Sequence, residues 1–477
     1  MLTRTATVLL IFPYASSVLA QTAPALPERP WHGSGMQEIQ NDARQFRESR
    51  FSIEPDRMYS LPELIDLAET HNPETRIAWE GARAQLAVLG VAHSELYPNL
   101  AAIALSQTNR AETLFGGRFY RQTERAYEVT LELSYTIFDF GARNGRIAAA
   151  RAQLLGANFA FNDTHRRLIL QVEQAYYCLL NATSQEEAAR ASLLNAQTVQ
   201  QAAEDRLTNG LATLPDVLEA RSATAQAEYD LEAVLGAKEI ARVGLATALG
   251  TSATATIHVQ PLSELRIPES IGSTVDHAIN RAFEGRPDLM QQLAQVRSVN
   301  ASIREARAAY YPTLNMNATP SSQSLYGLQQ TLPWTHTAGL DGGLTLSLRW
   351  TVFDGGARRN RLAQAEANSR AAQAQVSATR DQITDEIWTA YANLKTALRQ
   401  RQSALALLDA GNQSYAAELE SYKYGVRSLL DVTAAQRTLA QARSMDVLAR
   451  TQVVTAMANF AYETGDAIQS TAPRPRP

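Results

Sequence analysis

The chain carries an internal duplication, which constrains its fold more than any other feature of the sequence. A length of 477 residues suggests about three domains of ordinary size. However, landmarks of the first half return 214 or 215 residues later, in the same order. Such a register predicts two copies of one structural unit, which we place at residues 61–250 and 275–465. The matched landmarks are Asn72-Pro73 with Arg286-Pro287, Tyr97-Pro98 with Tyr311-Pro312, Phe138-Asp139 with Phe353-Asp354, and Gly210 with Gly425.

Each unit is predicted to contain a helix, two strands, a long helix and a shorter helix. In the first unit the opening helix runs from about 61 to 96 and stops before Pro98, because proline cannot continue a helix. The strands follow at about 99–138, and in the second unit at about 313–353. Apolar and polar residues alternate along Tyr127–Ile137, which is the period of a strand with one apolar face.

Two structures are compatible with this alternation. One is a half-buried sheet of a soluble protein with one solvent-exposed face. The other is a membrane barrel whose apolar face contacts lipid. Tyr97, Phe138, Tyr311 and Phe353 stand at the strand–helix junctions, where an aromatic girdle would lie, so we favour the barrel. Two units supply four strands, whereas the smallest outer-membrane barrels have about eight. The barrel must therefore be shared between chains.

A long helix follows the strands in each unit. No proline occurs between Arg143 and Thr208, and at about 1.5 Å per residue this stretch gives a helix of about 100 Å. Its apolar residues recur at gaps of 7, 4 and 7, which is typical of a coiled coil. Gly210 and Gly425 end the two long helices, and a helix of about 40 residues returns from each. The coiled-coil positions are Phe161, Leu168, Val172 and Leu179, repeated as Val376, Ile383, Ile387 and Leu394.

The N-terminus predicts export. Residues 1–20 combine Arg4, an apolar run and small residues before Ala20, as in a secretory signal peptide. No later apolar run reaches the ~18 residues that a membrane helix needs. Three further segments lie outside the duplicated units: an N-terminal extension at 21–60, an inter-repeat segment at 251–274, and a tail at 466–477 that we expect to be disordered.

Composition excludes several classes of protein. One cysteine rules out a disulfide framework and a cysteine-based metal cage. A net charge of −4 argues against sequence-independent nucleic-acid binding, which needs a basic face. No set of catalytic residues converges in the sequence, so we predict no enzyme, no cofactor and no metal site. The alternative to a membrane channel is an exported structural coiled coil that spans the periplasm, or an exported helical enzyme.

The chain resembles the TolC-like outer-membrane factor family from about residue 61 to 465. The resemblance rests on the duplication, on the two Phe-Asp-X-Gly-Ala-Arg junctions and on the segment Tyr422–Gln436. It implies a mainly α fold with a membrane β-barrel, in which a homotrimer forms twelve strands in the outer membrane and an α-helical tunnel in the periplasm. It also implies a passive exit duct for tripartite efflux or type I secretion, with a periplasmic adaptor protein and an inner-membrane transporter as partners.

The resemblance further implies a gate at the periplasmic tips of the helices. The matching residues are Tyr422 and Arg427, which would hold Asp216, and Asp431, which would form a carboxylate ring around the aperture. Such a ring favours cations. For Asp216 and Asp431 the alternative is helix N-capping after the glycine turns, and for Tyr422 it is ordinary packing. The chain departs from the family at two positions, since Pro215 replaces a hydroxyl residue and Ala434 replaces a second acid.

The junction motif occurs once in each unit. Its aspartates follow the strand ends directly, so helix capping and junction geometry explain them better than catalysis. We therefore predict a structural role for the motif residues, which are Phe138, Asp139, Gly141 and Arg143 in the first unit and Phe353, Asp354, Gly356 and Arg358 in the second.

Overall fold

The computed structural model describes residues 34–45, 51, 53–54, 57–260, 275–329 and 332–465. Contacts divide the chain into two units, Met1–Phe51 and Ser52–Pro477. Several sequence predictions lie outside the described residues: the export signal at 1–20, much of the extension at 21–60, the second part of the inter-repeat segment at 261–274, and the tail at 466–477.

The first unit contains helix α1, Ser34–Gln45. All other elements belong to the second unit. Its helices are α2 (Leu61–His71), α3 (Pro73–Ser94), α4 (Ala142–Thr208), α5 (Leu214–Ala248), α6 (Val275–Gly285), α7 (Pro287–Ala308), α8 (Ala357–Lys423) and α9 (Leu429–Thr464). Its strands are β1 (Met58–Tyr59), β2 (Asn99–Phe115), β3 (Arg118–Phe138), β4 (His258–Val259), β5 (Thr313–Ala318), β6 (Ser321–Gln329), β7 (Thr335–Asp341) and β8 (Leu344–Arg349).

The opening helix of each repeat is interrupted, which corrects the prediction of one helix over 61–96. Asn72 is extended rather than helical, and its side chain caps α3 by accepting from the Glu74 N–H at 2.8 Å. Pro73 occupies the first turn of α3, where its missing N–H costs nothing. Arg286 and Pro287 make the same break between α6 and α7.

The long helices α4 and α8 have 67 residues each, which corresponds to about 100 Å. The predicted coiled-coil stripe is confirmed at the second, third and fourth of its four positions, which are buried on both helices. None of the helices among the described residues combines the length and apolarity needed to cross a membrane. The buried stripe residues are Leu168, Val172, Leu179, Ile383, Ile387 and Leu394.

The helices pack side by side in a fixed order. On the side of the Pro73 and Pro287 breaks that is away from the large sheet, α5 packs on α4, α4 on α9 and α9 on α8. On the side of the breaks that is towards the large sheet, α3 packs on α4, α4 on α7 and α7 on α8. The long helix α4 is therefore internal along its whole length, whereas α3, α5 and α8 lie at the margins of the layer.

The large sheet contains four strand paths. β3 pairs antiparallel with β2 on one side and with β5 and β6 on the other, and these pair with β8 and β7. The third path breaks at Thr319-Pro320 and the fourth at Gly342-Gly343, where the Thr319 N–H still donates to the Gly343 carbonyl at 2.9 Å. Among the described residues, the outer edges of β2 and of β7 and β8 are unpaired.

The register gives this sheet one apolar face. Leu133 lies opposite Ala318, Tyr135 opposite Met316, and Phe138 opposite Leu314. A bulge between Thr136 and Phe138 inserts one residue, which keeps Phe138 on the same face as Tyr135. The other face carries the polar residues of β3, although Ile103 and Leu105 of β2 also lie on it, and there Thr136 donates to Asn315 at 3.0 Å. The strands are longer than the sequence alternation indicates, since β2 extends to Phe115.

Candidate functional site

The barrel–helix junctions are built by the two Phe-Asp-X-Gly-Ala-Arg motifs. In the first, Asp139 is buried and accepts from the Gly141 N–H at 3.2 Å and from the Arg143 N–H at 2.8 Å. The Arg143 guanidinium closes the loop at 3.1 Å. In the second, Asp354 makes the same three contacts at 3.2, 3.0 and 3.0 Å. A carboxylate here satisfies N–H groups that the start of a helix leaves unpaired.

Glycine is required at one position of this motif. Gly141 has φ of 91° and Gly356 has φ of 88°, a left-handed conformation that side chains disfavour. The arginine then ties the helix start to the strand end, since Arg143 donates to the Ile137 carbonyl and Arg358 to the Val352 carbonyl. The geometry therefore accords with the predicted structural role of the motif.

The tips of the two helical hairpins end on Gly210 and Gly425. Both glycines are left-handed, with φ of 70° and 76°. At the first tip the Leu211 N–H donates to the Arg206 carbonyl at 2.8 Å, and the Val426 N–H repeats this bond at the second. This pattern satisfies the last carbonyls of a helix and lets the chain reverse within a few residues.

Asp216 and Asp431 cap the helices that return from the tips. Asp216 accepts from the backbone N–H and hydroxyl of Thr213 at 2.8 and 2.7 Å. Asp431 accepts from the same groups of Ser428 at 3.2 and 2.8 Å. These hydrogen bonds hold the pKa of each carboxyl below its usual range. Both carboxylates are therefore ionised at neutral pH, and each accepts hydrogen bonds from the residue at the start of its own helix.

Among the described residues, the gate residues predicted on the second hairpin make no hydrogen bond or ion pair with Asp216, although Tyr422 packs in the same cluster as the neighbouring Val217. Tyr422 is buried in the tip core with Val199, Val217 and Val432, and among the described residues its hydroxyl has no hydrogen-bond partner. Arg427 lies 3.5 Å from Glu418 through its Nε and is half exposed. Within the described part of this single chain, Arg427 and Asp216 form no ion pair or hydrogen bond with each other.

Arg206 joins the two tips, and the sequence analysis missed it. Its Nη1 donates to the carbonyls of Tyr422 and Lys423 at 2.8 and 3.2 Å, and its Nη2 donates to the Leu211 carbonyl at 3.2 Å. The guanidinium also lies 4.8 Å from the Tyr422 ring centroid. A difference between the repeats could have identified Arg206, since the equivalent position in the second copy is Ser421.

A buried charge network lies where α7 begins. Arg286 is almost fully buried and contacts Asp288 at 2.6 Å and both Glu386 and Glu463 at 2.8 Å. Burial, together with the neighbouring Glu386 carboxylate, raises the pKa of Glu463 to about 7, against the opposing effect of Arg286. Such a network is costly to disrupt because a charge left unpaired has no water to solvate it. Among the described residues, no group of three or more His, Cys, Asp or Glu side chains is placed to hold a metal ion.

The chain is similar to known outer-membrane proteins over most of its length. CyaE of Bordetella pertussis is 27% identical over 414 residues, covering 86% of this chain and 85% of that protein. Outer membrane protein OprJ of Pseudomonas aeruginosa is 27% identical over 389 residues, covering 79% and 78%. A crystal structure of a membrane protein from Pseudomonas aeruginosa matches with a TM-score of 0.75 at 25% identity, covering 85% of this chain and 93% of that one.

The family profile reproduces the duplication. The family described as outer membrane efflux protein matches twice, at residues 64–251 and 278–465. It is a family of channels, which sets aside the helical enzyme and the structural coiled coil considered above. Together the two matches span well over half of the sequence, and the chain therefore belongs to the outer membrane efflux protein family.

Proposed function

We propose that the chain forms a homotrimeric outer-membrane duct that carries substrates out of the periplasm. The observation that carries this proposal is the four-path sheet with one apolar face and two open edges. Unpaired strand edges are a liability that closure into a barrel removes. Three copies supply twelve strands, and such a barrel is wide enough for an aqueous lumen.

The polar face of the sheet supports conduction. Glu128, Thr130 and Glu132 alternate with the apolar residues of β3, so they line the interior when the apolar face meets lipid. Carboxylates along a lumen favour cations. The long helices continue the duct into the periplasm, and the chain contributes passive passage rather than chemistry.

We assign a periplasmic adaptor and an inner-membrane transporter as partners, in keeping with the efflux and secretion systems in which members of the family act. A groove between α5 and α9, floored by α4, supports the adaptor. It is lined by small and polar side chains, among them Ala188, Ser222, Ala227 and Gln441. Such a lining allows close approach of a helix from a partner.

The tip gate remains part of this proposal. Arg427 is half exposed and only loosely held by Glu418, so it is available to Asp216 of a neighbouring protomer. Asp431 is ionised at the start of α9, where three copies would form the aperture ring. Tyr422 belongs to the core beneath them.

Planar-bilayer recording of the purified protein tests the duct and the gate together. We expect a detergent-solubilised trimer with low conductance, and higher conductance in Asp216→Ala and Arg427→Ala, because each removes one side of the contact. Glu228→Ala, an exposed change on α5, is the control. A monomeric, non-conducting protein would contradict the duct, whereas a conducting trimer unaffected by either variant would contradict only the gate.

A further inference from the structure

Three aromatic rings, which we call the ring stack, form a continuous cluster where the sheet meets the helices. Phe138 packs edge-to-face on Phe140, and Phe140 lies nearly parallel to Tyr311. The Phe138 and Phe140 ring centroids are 4.7 Å apart, and the Phe140 and Tyr311 rings are stacked at 4.8 Å. All three side chains are substantially exposed. Phe138 belongs to the apolar face of the sheet by register, so the stack extends the lipid-facing surface onto the first turn of the helices.

The backbone of Phe140 is in a strained conformation. Its φ is 52°, and it is the one non-glycine residue with positive φ among the described residues. The equivalent residue of the second repeat is Gly355, with φ of 64°. A bulky side chain is disfavoured in this left-handed region, where glycine is tolerated. The first repeat therefore carries a penalty that the second avoids, and the gain is an exposed ring beside Tyr311.

A pocket of about 440 Å³ opens directly beneath the stack. Phe140 and Tyr311 form its upper wall, and Arg304 and Arg307 of α7 line it together with Asn144 of α4. Because the pocket shares Phe140 with the lipid-facing stack, it lies on the outer side of the helix layer. Its volume is within the range of small-molecule sites.

The two arginines leave positive charge available in this pocket. Within the described residues, Arg304 makes no ion pair, and Arg307 approaches Glu366 only at 3.6 Å with most of its side chain exposed. Along α7 they lie four and seven residues before Tyr311, or about 6 and 10 Å at 1.5 Å per residue. The headgroup layer is about 5–8 Å thick on each side of the hydrocarbon core, so Arg307 lies within it, and the long side chain of Arg304 can reach it from just below.

The duplication provides an internal comparison, in which Arg304 and Arg307 of the second repeat and Phe140 of the first can each be compared with the other copy. The positions equivalent to Arg304 and Arg307 are Gly90 and His93, while the position equivalent to Phe140 is Gly355. Neither the two arginines nor the added ring is therefore repeated at the equivalent positions of the other unit. A role common to every strand–helix junction would not explain this difference.

The pocket also remains open in an assembled barrel. It lies between α4 and α7, which are neighbours inside one chain, whereas α3 and α8 form the margins of the layer at this level. Protomers that meet along these margins would leave the α4–α7 groove uncovered by a neighbouring copy.

We propose that this pocket binds the headgroup of an anionic phospholipid from the periplasmic leaflet of the outer membrane. The phosphate would contact Arg304 and Arg307, and the upper acyl chains would lie against the ring stack. Basic pockets next to aromatic anchors recognise anionic lipids by this combination of charge and apolar contact. The proposal rests on the membrane placement of the sheet and is independent of any gate at the tips.

Native mass spectrometry of the full-length protein in lipid nanodiscs tests the proposal. The discs contain neutral phosphatidylcholine with increasing phosphatidylglycerol. We expect retention of one phosphatidylglycerol per chain, and about 10- to 30-fold weaker retention in the Arg304→Gln/Arg307→Gln double variant, as two basic residues near an anionic surface contribute. Phe140→Gly keeps both charges and is expected to weaken retention of the lipid, because the acyl chains lose their contact with the ring, while the preference for the anionic headgroup persists.

The matched control is Arg297→Gln. Arg297 lies one heptad below Arg304 on α7, is exposed, and has no ion-pair partner within the described residues. Its removal changes the net charge by one unit, half of the change in the double variant, and leaves the pocket intact. Equal losses in the control and in the double variant would mean general attraction to the membrane and would overturn a specific site. So would equal retention of phosphatidylcholine and phosphatidylglycerol by the unmodified protein.

Two further arms identify the occupant. Inorganic phosphate at millimolar concentration should not displace the lipid, because it cannot contact the ring stack; displacement would assign the pocket to free phosphate instead. A photo-cross-linking amino acid at position 144 should yield an adduct with the mass of a phospholipid. An adduct with a peptide of this chain or of another protein would show that protein, not lipid, covers the pocket.

Discussion

At the scale of single residues, the two repeats show how much depends on a few substitutions in one framework. The junction aspartates are the same in both copies and make the same bonds within 0.2 Å. Their role follows from the sequence because a cap depends on neighbours along the chain. Arg206 was missed because its acceptors include carbonyls 216 and 217 residues away, and no local pattern indicates a contact of that kind.

Loss of Arg206 should loosen both tips. Arg206→Ala removes three hydrogen bonds to helix-end carbonyls, and one such bond from a charged donor contributes about 1.5–3 kcal/mol. We expect amide exchange at 207–211 and 421–426 to accelerate by about tenfold or more, while the barrel strands are unaffected. Hydrogen-exchange mass spectrometry of the trimer measures both regions.

Ser421→Ala is the control for this prediction, because Ser421 occupies the equivalent position of the second repeat. It should leave exchange at both tips unchanged. If Arg206→Ala behaves like this control, the contacts seen at the first tip do not hold the hairpins together.

The two junction aspartates should be equally important. Asp139→Ala and Asp354→Ala each remove three hydrogen bonds at a helix start, and loss of such a cap costs about 0.5–2 kcal/mol. We expect similar reductions in the apparent melting temperature of the trimer, and additive reductions in the double variant, since the sites share no partner. Unequal effects would show that the two junctions differ in function despite their matching geometry.

At the scale of elements, periodicity predicted the long helices well and the opening helices poorly. The stretch predicted from Arg143 to Thr208 agrees with α4 to within one residue. The break at Pro73 escaped the pattern because apolar spacing continues across it, although proline sits in its favoured place at a helix start. The alternation over Tyr127–Ile137 covers only the apolar part of β3, since the strand continues beyond it as far as Arg118.

The charge network at the start of α7 should make stability depend on pH. The folded protein holds the pKa of Glu463 at about 7, above the value of about 4.3 in an unfolded chain. The folded state therefore binds more protons between these values, and its stability falls as pH rises from about 4.5 to about 7. We expect the apparent melting temperature to decrease over this window by on the order of 2–4 °C.

Glu463→Gln should flatten this dependence, because the side chain can no longer ionise. The control is Glu228→Gln, which changes an exposed carboxyl on α5 and should leave the profile unaltered. Thermal unfolding followed by intrinsic fluorescence at several pH values makes the measurement. A profile that keeps its slope in Glu463→Gln would assign the dependence to another group.

At the scale of the whole molecule, the duplication determines what one chain lacks. Two units supply a sheet whose edges at β2 and β7–β8 have no partner within the described residues, and a helix layer whose margins are equally open. The sequence already indicated a shared barrel through the strand count. The proposed contact between Arg427 and Asp216 stays a prediction, because the two residues form no ion pair within the described part of one chain and a pairing between copies would depend on how the copies are arranged.

The two faces of β3 should respond in opposite ways to a charge. Leu131 is on the apolar face and Thr130 on the polar face, paired with Ala102 and Ile103 of β2. An arginine that faces lipid near the bilayer midplane costs about 2–4 kcal/mol, whereas lumen positions tolerate charge. We therefore expect Leu131→Arg to reduce the yield of heat-resistant trimer in membranes. Thr130→Arg should assemble normally and lower the preference for cations in planar bilayers, because it places a positive charge next to Glu128, which accepts a hydrogen bond from Thr130 at 2.7 Å. Equal assembly of both variants would mean that the apolar face does not contact lipid, and the barrel would have to be abandoned.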